Sequence, residues 1–265
     1  MLNFSSLYGG DNMLIDTHCH LQYEKYSNLD DVICDILKTD VKVIVVSGYD
    51  VKSSNDAIAL AHKYNNIYAT VGFHPDECEN IKESDFENFD RWLKDDRVVG
   101  VGEIGLDYYH DVSTKEKQIE LFKKQIKIAQ KYNKPIIVHN RDASEDVYKI
   151  LSKEKVKGIL HCFNDTYEMA SRFVELGYML GIGGIVTFKK NNLKSVVEKI
   201  SLDNIVLETD SPYLTPEPYR GRINTPANIP IIATSISKIK NIAYDEVVTK
   251  TTSNACAIFD FEDQI

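Results

Sequence analysis

No stretch of this 265-residue chain approaches the ~20 consecutive apolar residues that a membrane helix requires; the longest apolar run lies at 179–188. Basic residues are the minority, 31 Lys and Arg against 40 Asp and Glu. The resulting net charge of −9 excludes broad, charge-driven wrapping of nucleic acid or anionic membrane, but not a small, locally positive site. Residues 1–12 have no basic residue and no apolar core, so they do not form a secretory signal. They are expected to be a leader ahead of a single domain at 13–265, with Met13 opening the first strand-like run. The five cysteines are scattered and form no CxxC pair. That excludes a zinc ribbon or thioredoxin-type site and predicts a reducing, cytoplasmic home for a protein with no membrane role. No linker, low-complexity segment or short repeat interrupts the chain. A 43% hydrophobic and 27% charged composition excludes disordered, collagen-like and disulfide-miniprotein classes.

What recurs instead is a short β-branched run followed by a helical stretch. Eight strands are predicted, at 13–20, 43–49, 67–74, 98–107, 135–141, 158–163, 179–187 and 205–210. The clearest helix is 115–132, where Ile119, Phe122, Ile126 and Ala129 share one face. Others are predicted at 168–176 (ended by Gly177), 192–200, 229–239 and 245–259. Strict alternation implies parallel strands with crossover helices, either an open doubly wound sheet or a closed barrel. The open dinucleotide-binding sheet wants a G-x-G-x-x-G after its first strand, and DTHCH stands there instead. Eight units in this length match an α/β fold of the TIM-type (β/α)8 barrel, as a single domain.

The chemically distinctive residues fall at the predicted strand ends. His18 and His20 end the first strand, His74 the third, His139 and His161 the fifth and sixth, and Asp210 the eighth; Glu103 lies within the fourth. A barrel gathers strand C-termini at one rim, so these residues are expected to converge. Alternation predicts Asp16, His18 and His20 on one face, and two imidazoles so placed can reach one ion. A lone H-x-H is weak evidence, but five of the seven histidines end a predicted strand; His62 and His110 do not, and are expected to lie outside the site. Glu103, flanked by glycines in a buried strand, is costly unless cations pair with it, and its two oxygens suit a bridge. Asp107 is expected to cap the next helix, and Glu208 to orient a ligand. Four imidazoles and two carboxylates suit Zn, Mn, Fe, Co or Ni, and Mg less well. Six ligands exceed one open tetrahedral site and fit two divalent metal cations sharing Glu103.

Seven segments together resemble the TatD family of metal-dependent deoxyribonucleases, within the amidohydrolase-like barrel superfamily. They are IDTHCHL (15–21), GFHP (72–75), VGEIGLDYY (101–109), PIIVHNRDA (135–143), GILHCF (158–163), LETDSPYL (207–214) and GRINTPANI (221–229). The resemblance implies hydrolysis of DNA phosphodiesters by a 3′→5′ exonuclease with two divalent cations. It would place His18, His20 and Asp210 on one metal, His139 and His161 on the other, and Glu103 between them. Departures from the family pattern are Asn140, Asn164-Asp165 and Arg222, none at a ligand position.

The expected mechanism has a water attack phosphorus with Asp210 as general base, while Arg141 contacts a phosphate and His74 either does likewise or donates to the leaving oxygen. Arg141 could instead pair with Asp107 or Asp142. Arg220, Arg222 and Asn224 are weaker substrate-binding candidates. Tyr108, Tyr109 and Tyr213 are either base-stacking surfaces or packing residues. Single-stranded DNA or its 3′ end is the expected partner, with no obligate protein partner. Amidohydrolases that cleave lactones, amides or aminoacyl esters use nearly the same ligand set, so an aminoacyl-tRNA deacylase is the rival reading. A dead barrel serving as a scaffold would lack ligands, and all six are present.

Overall fold

A computed structural model of the chain describes residues 13–109 and 112–261; the leader at 1–12 and His110 lie outside the described residues. Eight parallel strands follow one another in sequence order around one sheet: β1 (Leu14–Cys19), β2 (Val41–Ser47), β3 (Ile67–Val71), β4 (Val98–Asp107), β5 (Ile136–Arg141), β6 (Gly158–Leu160), β7 (Met179–Ile182) and β8 (Ile205–Leu207). Main-chain bonds beyond the last strand bring the ends of the sheet together, from Asp210 N–H to the His18 carbonyl (3.0 Å) and from His20 N–H to the Ser211 carbonyl (2.7 Å). The Thr17 hydroxyl adds a bond to the Leu207 carbonyl at 3.0 Å. The nearly closed ring is the expected TIM-type barrel.

Helices α1 (Leu29–Leu37), α2 (Val51–Lys63), α3 (Asn88–Trp92), α4 (Lys115–Lys131), α5 (Ser144–Leu151), α6 (Tyr167–Glu175), α7 (Leu193–Lys199), α8 (Ile229–Lys240) and α9 (Tyr244–Phe259) follow the strands. The apolar stripe of α4 buries Phe122, Ile126 and Ala129 as its spacing predicts. Inside the ring, Ile15, Val43, Val45, Val99, Ile137 and Val206 form an apolar floor, closed from the N-terminal end by Cys256 and Phe259 of α9. That floor leaves only the opposite rim open. Among the described residues no helix is long and apolar enough to cross a membrane.

All eight predicted strands exist, but several stop earlier than expected. The seventh was expected to reach Thr187; instead 184–187 winds into a 3₁₀ turn, with Val186 N–H bonded to the Gly183 carbonyl at 3.1 Å. At the rim, Asp142, Cys162 and Asp210 turn the chain out of the barrel with left-handed φ values of 54°, 48° and 52°. Each directly follows, or is itself, one of the candidate functional residues.

Candidate metal centre

The strand ends bring His18, His20, Glu103, His139, His161 and Asp210 together at the rim. Glu103 sits at the middle, 4% exposed. Its Oε2 lies 3.5 Å from both His18 Nε2 and His20 Nε2, while its Oε1 lies 2.7 Å from His139 Nδ1 and 3.0 Å from His161 Nε2. One carboxylate therefore faces a separate imidazole pair with each oxygen. Asp210 Oδ1 completes the first side, 3.7 Å from His18 Nε2 and 3.6 Å from His20 Nε2. The His161 ring also stacks on that of His18, with centroids 3.9 Å apart, so it lies between the two sides.

Outer contacts aim these groups. The Ser47 carbonyl accepts from His20 Nδ1 at 2.9 Å, which leaves the His20 Nε2 lone pair turned inward. The Ser47 hydroxyl lies 3.0 Å from His18 Nδ1 and accepts from the Thr70 hydroxyl at 2.9 Å. Asp107 lies 3.0 Å from His139 Nε2 and directs Nδ1 to the centre. It thus orients a histidine and does not cap α4, whose N-terminal flank is Thr114. Glu208 lies 3.4 Å from His161 Nδ1, in the orienting place expected of it. A Cβ on Gly181 would come within 2.2 Å of Glu208 Oε2, so glycine at that position makes room for the carboxylate.

Asp16 departs from the expectation. Ile15 points into the inner floor, and the Asp16 carboxylate accepts from Thr209 N–H at 3.0 Å and from the Thr209 hydroxyl at 2.5 Å. Pairing of β1 with β2 slips between Asp16 and Cys19. Strict alternation is thereby broken: His18 and His20 face the cavity, whereas Asp16 fastens the seam.

The residues fit divalent cations. His18 Nε2 and His20 Nε2 stand 3.2 Å apart, buried, with two carboxylates within reach of both. His161 turns Nε2 to the centre, 3.0 Å from Glu103 Oε1, while its Nδ1 faces the buried Glu208 carboxylate on the outer side. Burial pushes the Glu103 carboxyl up, but the charge of His161 and hydrogen bonds from His139, His161 and His18 outweigh it and hold Glu103 well below the usual range. Burial likewise opposes protonation of His20, but Asp210 and Glu103 overcome it and raise the imidazole to about 10. His161 is raised well above its ordinary value chiefly by Glu103 and Glu208 acting against burial. Bare, the cluster recruits protons to offset its carboxylates; borderline imidazole and carboxylate donors are the set that divalent transition ions replace those protons on.

Around this centre opens a cavity of about 780 Å³, lined also by His74, Arg141, Cys162 and Tyr213. His74 Nε2 is 3.6 Å from Glu103 Oε1, and its Nδ1 accepts from Asp76 N–H at 3.2 Å. Burial and the neighbouring charge of His139 lower His74 to about 3, so it is neutral and Nε2 carries its proton. Arg141 lies over the Tyr109 ring at 3.8 Å, at the mouth. Tyr213 is exposed beside Tyr23, their ring centroids 5.9 Å apart, whereas Tyr108 turns away to bond Asp146 at 3.1 Å.

Some substrate candidates fall elsewhere. Asn224 is fully buried and bonds the Thr209 and Tyr213 carbonyls at 2.9 and 2.7 Å, holding the segment that carries Asp210. Arg222 lies over Tyr219 at 5.3 Å, outside the cavity. His62, as expected, is remote and pairs with Asp95 at 2.8 Å. Sequence reasoning missed Gln118 and Gln125. Gln125 bonds both the N–H and the carbonyl of Phe73, at 2.8 and 2.9 Å, and so sets His74; Gln118 does the same for Asp107, at 2.9 Å each. Two glutamines seven residues apart on the apolar face of α4 were the available signal.

Residues 15–260 match the family model described as TatD-related DNase. The uncharacterized metal-dependent hydrolase YabD of Bacillus subtilis is 40% identical, covering 93% of this chain and 99% of its own. YcfH of Escherichia coli K12, of the same description, is 36% identical over 94% and 96%. The crystal structure of the Escherichia coli TatD homologue YjjV superposes with a TM-score of 0.90 at 28% identity, covering 95% of this chain and 99% of that one. A TatD-family hydrolase from Entamoeba histolytica gives 0.86 at 25% identity over 94% and 98%. Fold, donor cluster and relatives agree: the chain belongs to the TatD-related DNase family and is a hydrolase dependent on divalent metal.

Proposed function

We propose that this hydrolase cleaves DNA phosphodiester bonds, removing nucleotides from the 3′ end of single strands, with two divalent cations held by His18, His20 and Asp210 on one side, His139 and His161 on the other, and Glu103 shared. The observation that carries this reading is the split of Glu103, whose two oxygens face two imidazole pairs at the base of one cavity. Two adjoining cations supply a lowered water pKa and charge neutralisation at both the attacking and the leaving oxygen of an in-line displacement. Asp210, held ionised and only partly buried, accepts the proton of the attacking water. His74 offers its Nε2–H as a hydrogen bond to the leaving oxygen or a phosphate oxygen; its neutral state makes it a donor through one nitrogen only. Arg141, flat over Tyr109 at the mouth, offers guanidinium N–H groups to a non-bridging oxygen. Tyr213 offers its exposed face to a base. Five free cysteines support a reducing, cytoplasmic setting.

The test uses single-stranded DNA labelled at its 3′ end, protein loaded with Mn²⁺ or Zn²⁺, and an aminoacyl-tRNA as the competing substrate. Early release of labelled mononucleotide supports the reading. Deacylation with the DNA label retained would replace it with the ester hydrolase.

A further inference from the structure

A second groove of about 820 Å³ opens beside the metal cavity and shares Asn164 and Ile185 with it. It is built by the chain that leaves β7, lined by Phe188, Lys189 and Lys190. That segment is held in shape from within. Asn191 donates to the carbonyls of Ile185 and Phe188, at 2.9 and 2.6 Å, and accepts from Lys194 N–H at 3.2 Å. The Thr187 hydroxyl donates to the Gly184 carbonyl at 2.7 Å and accepts from Glu217 N–H at 2.9 Å. The last bond ties the groove to the proline-rich loop after β8, whose Arg220 lies 3.8 Å over the Phe188 ring.

Charge is gathered here. Eleven of the 25 lysines of this acidic protein sit against a carboxylate, as Lys117 does with Glu79 or Lys124 with Glu83, each at 2.5 Å. Lys189 and Lys190 are exposed, adjacent, and make no ion pair or hydrogen bond to any described residue. Asp165 is the one acidic residue on the groove, and its carboxylate is engaged by Ser144 and by Thr166 N–H. Two unpaired ammonium groups and a guanidinium stacked on an exposed-edge aromatic ring, in a preformed channel leading from the metal cavity, fit a chain of phosphates with bases between them.

We propose that this groove is a track for single-stranded DNA beyond the nucleotide being cleaved, with Lys189, Lys190 and Arg220 contacting successive phosphates and Phe188 presenting a ring to a base. The proposal rests on the nuclease reading for its occupant, but not for its test. It makes the track a binding surface separate from the reacting atoms, so it acts on affinity for long strands and leaves turnover at the metals alone.

The experiment compares Mn²⁺-loaded wild type with K189A/K190A and with Arg220→Ala. Binding of a fluorescent phosphorothioate 20-mer is read by anisotropy across a salt series, and turnover of bis(p-nitrophenyl) phosphate reports the metal centre by itself. The double variant is expected to bind the 20-mer about tenfold more weakly near 0.1 M salt. Its slope of log K against log salt should be shallower by about 1.4, roughly 0.7 for each lost single-strand phosphate contact. Turnover of the small diester should stay at the wild-type rate. Unchanged affinity and slope, no binding of the 20-mer by wild type, or an equal loss on the small diester would each overturn the track. Wild type that binds the 20-mer through these lysines yet leaves ordinary DNA uncut would overturn the nuclease reading and leave the track standing; cutting that ignores the lysines would do the reverse.

Discussion

Glu103 is where most of the chemistry meets. A carboxylate buried at the end of an apolar barrel is stabilised only by partners on each oxygen, and here those are two imidazole pairs, of which His20, His139 and His161 are raised and His18 is lowered by burial and the charge of His161. Glu103→Ala removes the shared group from both sides at once. Metal-dependent turnover should fall by roughly 10²–10³ or more, and bound metal measured by elemental analysis should drop, while circular dichroism stays native. Full activity in this variant would remove the bridging role. The same residues make metal uptake a proton exchange. Ion-free, His20 is raised from 6.5 to about 10, and His139 and His161 are raised as well. Ligands must be deprotonated, so binding at pH 7–8 should release protons, seen as a dependence of calorimetric heat on the buffer's ionisation enthalpy. Raised imidazoles favour the folded state fully below pH 6.5, and that contribution fades as pH rises through about 10. Chelated protein should therefore lose Tm over that window while metal-loaded protein holds it; parallel curves would contradict the charge balance drawn here.

At the scale of elements, strands supply the candidate ligands and α4 supplies their alignment. Gln125 reaches from α4 to both main-chain groups of Phe73, one residue before His74. Gln125→Met keeps the bulk and leaves a buried N–H and carbonyl unpaired. It should cost about 1–3 kcal/mol in denaturant unfolding and lower activity through displacement of His74; an unchanged midpoint would show that the clamp is idle. These clamps mark what the sequence hides. β-branched runs and the 3–4 spacing in α4 are local, so the strands and helices were legible from them, and the convergence of His18, His20, His139, His161 and Asp210 was legible because they fall at predicted strand ends. Where the chain leaves the barrel depends on left-handed turns at Asp142, Cys162 and Asp210, and only the two aspartates belong to types that favour that conformation. Asp16 was misplaced because a register slip in β1 defeats simple alternation. Asp107 and Asn224 were misread because their partners, His139 and the Thr209 and Tyr213 carbonyls, are neighbours only in three dimensions.

The whole molecule carries −9, and its open rim is lined by five carboxylates, those of Asp76, Glu77, Glu103, Asp107 and Asp210, against the Arg141 guanidinium. Two divalent cations would add about +4 there and bring that rim to near neutrality. With most of the surface repelling phosphate, the contact with DNA should be short. The slope of log K against log salt for a single strand should be about −2.8, the value for the four phosphates met by Arg141, Lys189, Lys190 and Arg220, and a slope matching six or more would contradict a small footprint. The account as a whole depends on six residues carried by five strands gripping ions. Anomalous diffraction from crystals grown with Mn²⁺ or Zn²⁺ measures that directly. Two peaks should flank Glu103, one against His18, His20 and Asp210, the other against His139 and His161. Ions bound only elsewhere, or these side chains in the same positions with no peak between them at saturating metal, would contradict it.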